Sequence, residues 1–151
     1  MKVSAVAAAL LAISAALALP SAPRAGPTTV SVSFDQTYDV NTTSLDTVAC
    51  SNGPNGLESQ GFNTFGQLPG FPNIGGAFAV SGFGSANCGT CWNLTFKGTT
   101  ISVLAIDTAS GGFNIALEAM NALTHNQATF LGRVNASAVQ VDTTNCNFTS
   151  T

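Results

Sequence analysis

Polar and apolar residues alternate strictly through TVSVSFD, which starts at Thr29, so Val30, Val32 and Phe34 fall on one face of a half-buried strand. Ser44, ahead of LDTVAC, reads as an N-cap that opens a short helical turn delivering Cys50. Residues 51–76 hold seven glycines and three prolines, which predicts ordered loops around a few apolar anchors. Three strands are expected next, in AFAVSGF, CWNLTF and ISVLAID, the last two joined by a tight Lys97-Gly98 hairpin connection. CWNLTF sets Trp92, Leu94 and Phe96 on an apolar face and leaves Asn93 and Thr95 outward. ISVLAID is apolar on both faces as far as Asp107, the pattern of a central strand. Asn114 is expected to cap a helix in IALEAMNALTH, where Ile115, Ala119, Met120 and Leu123 share a stripe. SAVQVD supplies a last alternating strand. Short strands, abundant glycine and small helices together predict a closed or nearly closed β-barrel.

The first residues follow a different rule. Met1 and Lys2 give a positive start, and Val3 to Leu19 then run without a charge. That is a secretory signal pattern, assigned to residues 1–18 with cleavage after Ala16-Leu17-Ala18, Ala25 being a later alternative. The run is shorter than the roughly 20 apolar residues of a membrane span, and Pro20 and Pro23 close it, which disfavours an anchor. A flexible leader is expected over 19–28 and one domain over 29–151. The expected location is extracellular.

Charge narrows the partners. Loss of the signal removes Lys2, leaving three basic residues (Arg24, Lys97 and Arg133) against seven acidic ones, a net charge of -4. So few cations cannot neutralise a run of phosphates or hold an anionic membrane surface, which argues against nucleic acid and membrane partners. With charged residues only 7% of the chain, Ser, Thr, Asn and Gln must build the polar surface, and such a surface suits an uncharged polymer.

Cys50, Cys88, Cys91 and Cys146 form an even set in an exported chain, which reads as two disulfides with three pairings open. A Cys88-x-x-Cys91 redox pair is the alternative, but it lacks the strand-to-helix setting that lowers a thiol pKa. His125 is the single histidine and has no ligand-spaced partners, so neither a metal site nor a Ser-His-Asp set is expected, and no cofactor is implied. Asn41, Asn93, Asn135 and Asn147 begin N-x-Ser/Thr sequons open to glycosylation in an exported chain.

Taken in order, VSVSFDQTYD, VACSNGPNGL, GFPNIGG, NCGTCW, AIDTASGGFNI and QVDTTNC resemble the cerato-platanin family of small secreted fungal proteins, from about Thr28 to Cys146. The resemblance implies a six-stranded double-psi β-barrel, similar in shape to expansins, with Cys50 bridged to Cys88 and Cys91 to Cys146. It also implies a monomer able to self-assemble, extracellular or wall-associated. Such a protein binds chitin-type oligosaccharides, loosens polysaccharide without hydrolysing it, and is perceived by host immune receptors as an elicitor or allergen.

Asp107 ends the central strand beside Thr108-Ala109-Ser110-Gly111-Gly112, where a carboxylate can accept hydrogen bonds from sugar hydroxyls or satisfy a local turn. The resemblance places Asp107 and Asn114 on the sugar-binding face; Gly111 and Gly112 lie in the loop between them, and Asp35, which follows the first strand, is read from its position as the further acid for a polar groove. Phe83 stands where many members carry Trp. Hydrolysis needs two carboxyl groups flanking one bond, and no motif couples a second acid to Asp107, so no catalytic residue is assigned. A weak glycoside hydrolase or lytic transglycosylase is the enzymatic alternative. A surface-active, self-assembling elicitor with incidental sugar binding is another.

Overall fold

The computed structural model describes residues 26–149. The signal peptide assigned to 1–18, residues 19–25 of the expected leader, and its cleavage points lie outside them. Thr28, placed at the end of the leader, is the first residue of a strand.

Six strands close into a barrel: β1 (Thr28–Phe34), β2 (Ile74–Ala77), β3 (Cys91–Phe96), β4 (Thr99–Thr108), β5 (Gly112–Ile115) and β6 (Arg133–Val141). Around the barrel the order is β1-β5-β2-β4-β3-β6, with β6 pairing back to β1. The pairs β1/β5 and β2/β4 are parallel and the other four antiparallel. Each of the six strands pairs with two neighbours.

The alternation in β1 has its expected consequence: Val30 and Val32 are buried and Phe34 packs against the core. Lys97 and Gly98 both take positive φ (45° and 84°), the twist that joins β3 to β4 without splaying them. In β4, Val103, Leu104, Ala105 and Ile106 are all buried, because helix α1 (Leu117–Thr124) covers the outer face. Ser44 caps a single turn of 3₁₀-helix over Leu45–Thr47, its hydroxyl accepting from the Asp46 N–H; Cys50 follows that turn.

Two expectations are corrected. The strand sought in AFAVSGF lies earlier, in β2, and the chain turns after Ala77. Gly76 makes this possible: a Cβ there would overlap the Thr108 carbonyl oxygen of β4, so only a glycine-bearing segment fits between β4 and β5. Asn114 does not cap a helix but lies in β5. Helix α1 starts at Leu117, and its first N–H groups are taken from a distance by Asp39, whose carboxylate accepts from Leu117 (2.8 Å) and Glu118 (2.9 Å). A carboxylate at that end also complements the helix dipole. Of the expected helical stripe, Ala119, Met120 and Leu123 are buried on α1, whereas Ile115 is buried as the last residue of β5.

Cys50 is bonded to Cys88 and Cys91 to Cys146. The bridges close loops with sequence separations of 38 and 55. Each contributes about 4 kcal/mol by restricting the unfolded chain. Trp92 belongs to the core, packed edge-on to Phe78 and Phe113 with its indole N–H donated to Thr90 Oγ1 at 2.9 Å. Phe83 is 68% exposed.

Candidate functional site

Strand register assembles a site that no local motif shows. Arg133 on β6 pairs with Ser33 on β1, Ser33 with Asn114 on β5, Asn114 with Gly76 on β2, and Gly76 with Asp107 on β4. Residues paired in register project from the same side of a sheet. Their sequence neighbours Val32, Phe113, Ile106 and Val134 are buried, so this row faces outward across five strands. Four inter-strand steps separate Arg133 from Asp107 along this row, while on the other side of the closed barrel β3 alone lies between their strands.

The row is cross-linked by its own side chains. Ser33 Oγ donates to Asn114 Oδ1 at 3.0 Å, and Arg133 Nη1 donates to Ser31 Oγ at 2.6 Å. Above its Arg133 end lies an open groove of ≈ 530 Å³ lined by Ser33, Phe34, Thr108, Ala109, Ser110, Phe113, Asn114 and Arg133. Its polar groups are hydroxyls, one carboxamide and one guanidinium. They offer donors and acceptors to a hydroxyl-rich ligand; Phe113, 2% exposed and packed against Trp92 and Phe78, adds almost no surface to the groove.

Of the residues singled out from sequence, Asn114 alone lines this groove. Asp107 stands at the far end of the row with its carboxylate engaged: Oδ2 accepts from Tyr38 Oη (3.0 Å), and Oδ1 from the N–H groups of Ala49 (3.0 Å) and Thr108 (2.8 Å). Asp35 is exposed and caps a 3₁₀ turn over Gln36–Asp39, accepting from the Thr37 N–H at 2.8 Å. Gly111 is exposed at positive φ (71°), whereas Gly112 is buried where β5 meets β1. Ser33, Thr108, Ser110 and Arg133 were not singled out. Arg133 has no local signal at all, since strand pairing brings it to the groove.

The other polar candidates have positions of their own. Among the sequons, Asn41, Asn135 and Asn147 are exposed, and Asn93 is half-buried with Oδ1 accepting from Ser102 Oγ at 2.7 Å. Asn135 lies two residues beyond Arg133 on the same face of β6. His125 follows α1 in a left-handed conformation, its Nε2 2.8 Å from Thr99 Oγ1. Glu58 and Asp46 sit together outside the groove; desolvation, then the charge and hydrogen bond of Asp46, hold the Glu58 carboxyl above its ordinary range. Among the described residues no three His, Cys, Asp or Glu side chains gather to hold a metal ion, and no helix is long and apolar enough to cross a membrane.

Tyr38 carries a measurable signature of the Asp107 contact. Burial raises its phenol pKa, and the Asp107 charge, the hydrogen bond to Asp107 and the Asp35 charge raise it further. The folded state therefore keeps the phenol neutral, while the unfolded chain ionises it near about pH 10. This contribution to stability is complete below that pH and is lost as pH climbs through the folded value. Tyr38 is the only tyrosine, so ultraviolet difference absorbance is expected to show no phenolate in the folded protein at about pH 11, and full phenolate once urea unfolds it. An ordinary phenol titration in the folded state would contradict the contact.

A cerato-platanin family model matches residues 30–148. Allergen Asp f 15 of Aspergillus fumigatus is 49% identical over 140 residues, covering 90% of each chain. Among solved structures, the solution structure of the fungal elicitor cerato-platanin is 43% identical with a TM-score of 0.70, covering 78% of this chain and 96% of that one. An expansin of Clavibacter michiganensis, solved in complex with cellohexaose, is 20% identical with a TM-score of 0.52, covering 77% of this chain and 50% of its own. That likeness is one of fold, and it identifies the closed six-stranded arrangement as the expansin-type double-psi β-barrel. With the family model spanning the whole barrel and a relative matching at almost half of its positions, this chain belongs to the cerato-platanin family.

Proposed function

We propose that this is a secreted, fungal cell-wall-associated protein that binds chitin-type oligosaccharides in the groove over Ser33 and Asn114 and loosens polysaccharide without breaking bonds. The observation that carries this reading is the groove lining: hydroxyl, carboxamide and guanidinium groups, with no carboxylate. Sugar hydroxyls can pair with all three kinds of group. The signal pattern at Met1 to Leu19 supports export. The likeness to an expansin that was solved with cellohexaose supports a saccharide ligand.

The engagement of four of the acids supports the reading of binding without cleavage. Glycoside hydrolysis places two carboxyl groups roughly 5–10 Å apart across the scissile bond. Here Asp107 ties Tyr38 and Ala49, Asp39 caps α1, Asp35 caps its own turn and Asp142 accepts from the Thr144 N–H. Recognition by host immune receptors, as an elicitor or allergen, is proposed from the elicitor and allergen relatives.

Titration of the isotope-labelled mature domain with tri-N-acetylchitotriose is the test. Amide shifts are expected at Ser33, Ser110, Asn114 and Arg133 at millimolar ligand, and silence at these positions would sink the groove assignment. A second reading, surface-driven self-assembly with incidental sugar binding, is favoured by Phe130 and Phe83, which are 88% and 68% exposed. Silence at the groove together with accumulation at an air–water interface would leave that reading standing.

A further inference from the structure

Arg133 carries the one formal charge among the groove-lining residues. Among the described residues its guanidinium makes a single hydrogen bond, from Nη1 to Ser31 Oγ. An arginine has five N–H donors, so Ser31 fixes its position while leaving donors for a ligand. Asp107 does not line the groove, and both of its carboxylate oxygens are engaged by Tyr38, Ala49 and Thr108. Asp35, on the chain just beyond Phe34, directs its carboxylate to the Thr37 N–H. Arg133 is therefore the one charged side chain that a ligand in the groove meets directly, on a chain whose net charge is negative.

We propose that the groove selects oligosaccharides by charge, with Arg133 reading a sugar carboxylate: uronate-bearing chains bind most tightly, neutral N-acetylated chains less so, and free-amine chains least. This rests on the oligosaccharide reading and specifies its ligand class. A planar guanidinium matches a carboxylate in geometry, and a hydrogen bond between two charged partners is roughly twice as strong as a neutral one. A protonated amine in the same place meets a like charge. The protein's overall negative charge alone dictates the opposite order, amine first and uronate last, so the order separates groove chemistry from bulk electrostatics.

The test uses three trimers on the mature domain at neutral pH and low salt: trigalacturonate, tri-N-acetylchitotriose and the fully deacetylated glucosamine trimer. Affinities are read from the Ser33, Asn114 and Arg133 amides. Trigalacturonate is expected to bind about five-fold more tightly than the neutral trimer, the gap closing in half-molar salt by screening, with the amine trimer weakest. Arg133→Gln is expected to erase the uronate preference, and Arg133→Lys, which keeps the charge but loses the fork, to retain part of it. Retained amide dispersion verifies that both variants fold. Equal affinities, the reverse order, a preference that survives Arg133→Gln, or acetate displacing trigalacturonate at matched concentration would overturn the proposal. Groove shifts with the neutral trimer and no gain from uronate would overturn this inference alone. No groove shift with any trimer would overturn the oligosaccharide reading with it.

Discussion

Asp107→Ala is expected to lower the stability of the barrel by about 3 kcal/mol, seen as a fall in the urea midpoint at unchanged slope. The cause is two orphaned donors. The buried Tyr38 hydroxyl and the Ala49 N–H both lose their acceptor, and neither has a second one among the described residues. The exposed Thr108 N–H can turn to water. Asp107→Asn keeps an oxygen for Ala49 and Thr108 and is expected to lose about 1 kcal/mol. The asparagine variant is thus the one in which ligand binding can be compared with the parent, because loss of binding in the alanine variant reports on the fold. An alanine variant within about 0.5 kcal/mol of the parent would mean that the carboxylate is free for a ligand and does not tie Tyr38 to the barrel.

Gly112→Ala is expected to cost at least as much, about 3 kcal/mol or more. Gly112 stands where β5 runs parallel to β1, opposite Ser31, and a Cβ would overlap the Ser31 carbonyl oxygen. That obstacle is backbone, with no rotamer to move into, so the two strands must separate. Separation breaks the register that sets Asn114 beside Ser33. Gly111→Ala next door meets no atom within 4 Å and only the strain of its positive φ, so about 1–2 kcal/mol is expected there. Equal costs at the two positions, measured by urea unfolding, would contradict the packing described for β1 and β5.

These neighbouring glycines also show what can be read from sequence. GGFNI looks like a flexible loop opening a helix because glycine and asparagine are local turn and cap signals. In the barrel Gly112–Ile115 is a four-residue strand whose glycine is demanded by the distant backbone of Ser31 in β1. The helix start was misplaced for the same reason, as its capping carboxylate, Asp39, comes from 78 residues upstream. Where the information is local, sequence suffices: the alternation of β1, the Lys97-Gly98 turn, the apolar run of β4 and the Ser44 cap are all where the pattern puts them. The candidate site divides along the same line. Asn114 follows from the family resemblance, but Arg133 and Ser33 reach the groove only through the β6/β1 and β1/β5 registers, which no local pattern encodes.

Whether the groove binds without cutting is measured most directly by holding N-acetylated chitin hexaose with stoichiometric mature domain for days, following the Ser33 and Asn114 amides and the oligomer's mass in one sample. The account requires shifted groove amides and a hexaose of unchanged length. Shorter products from the parent, absent with the folded Asp107→Asn variant, would contradict it and make Asp107 a catalytic acid.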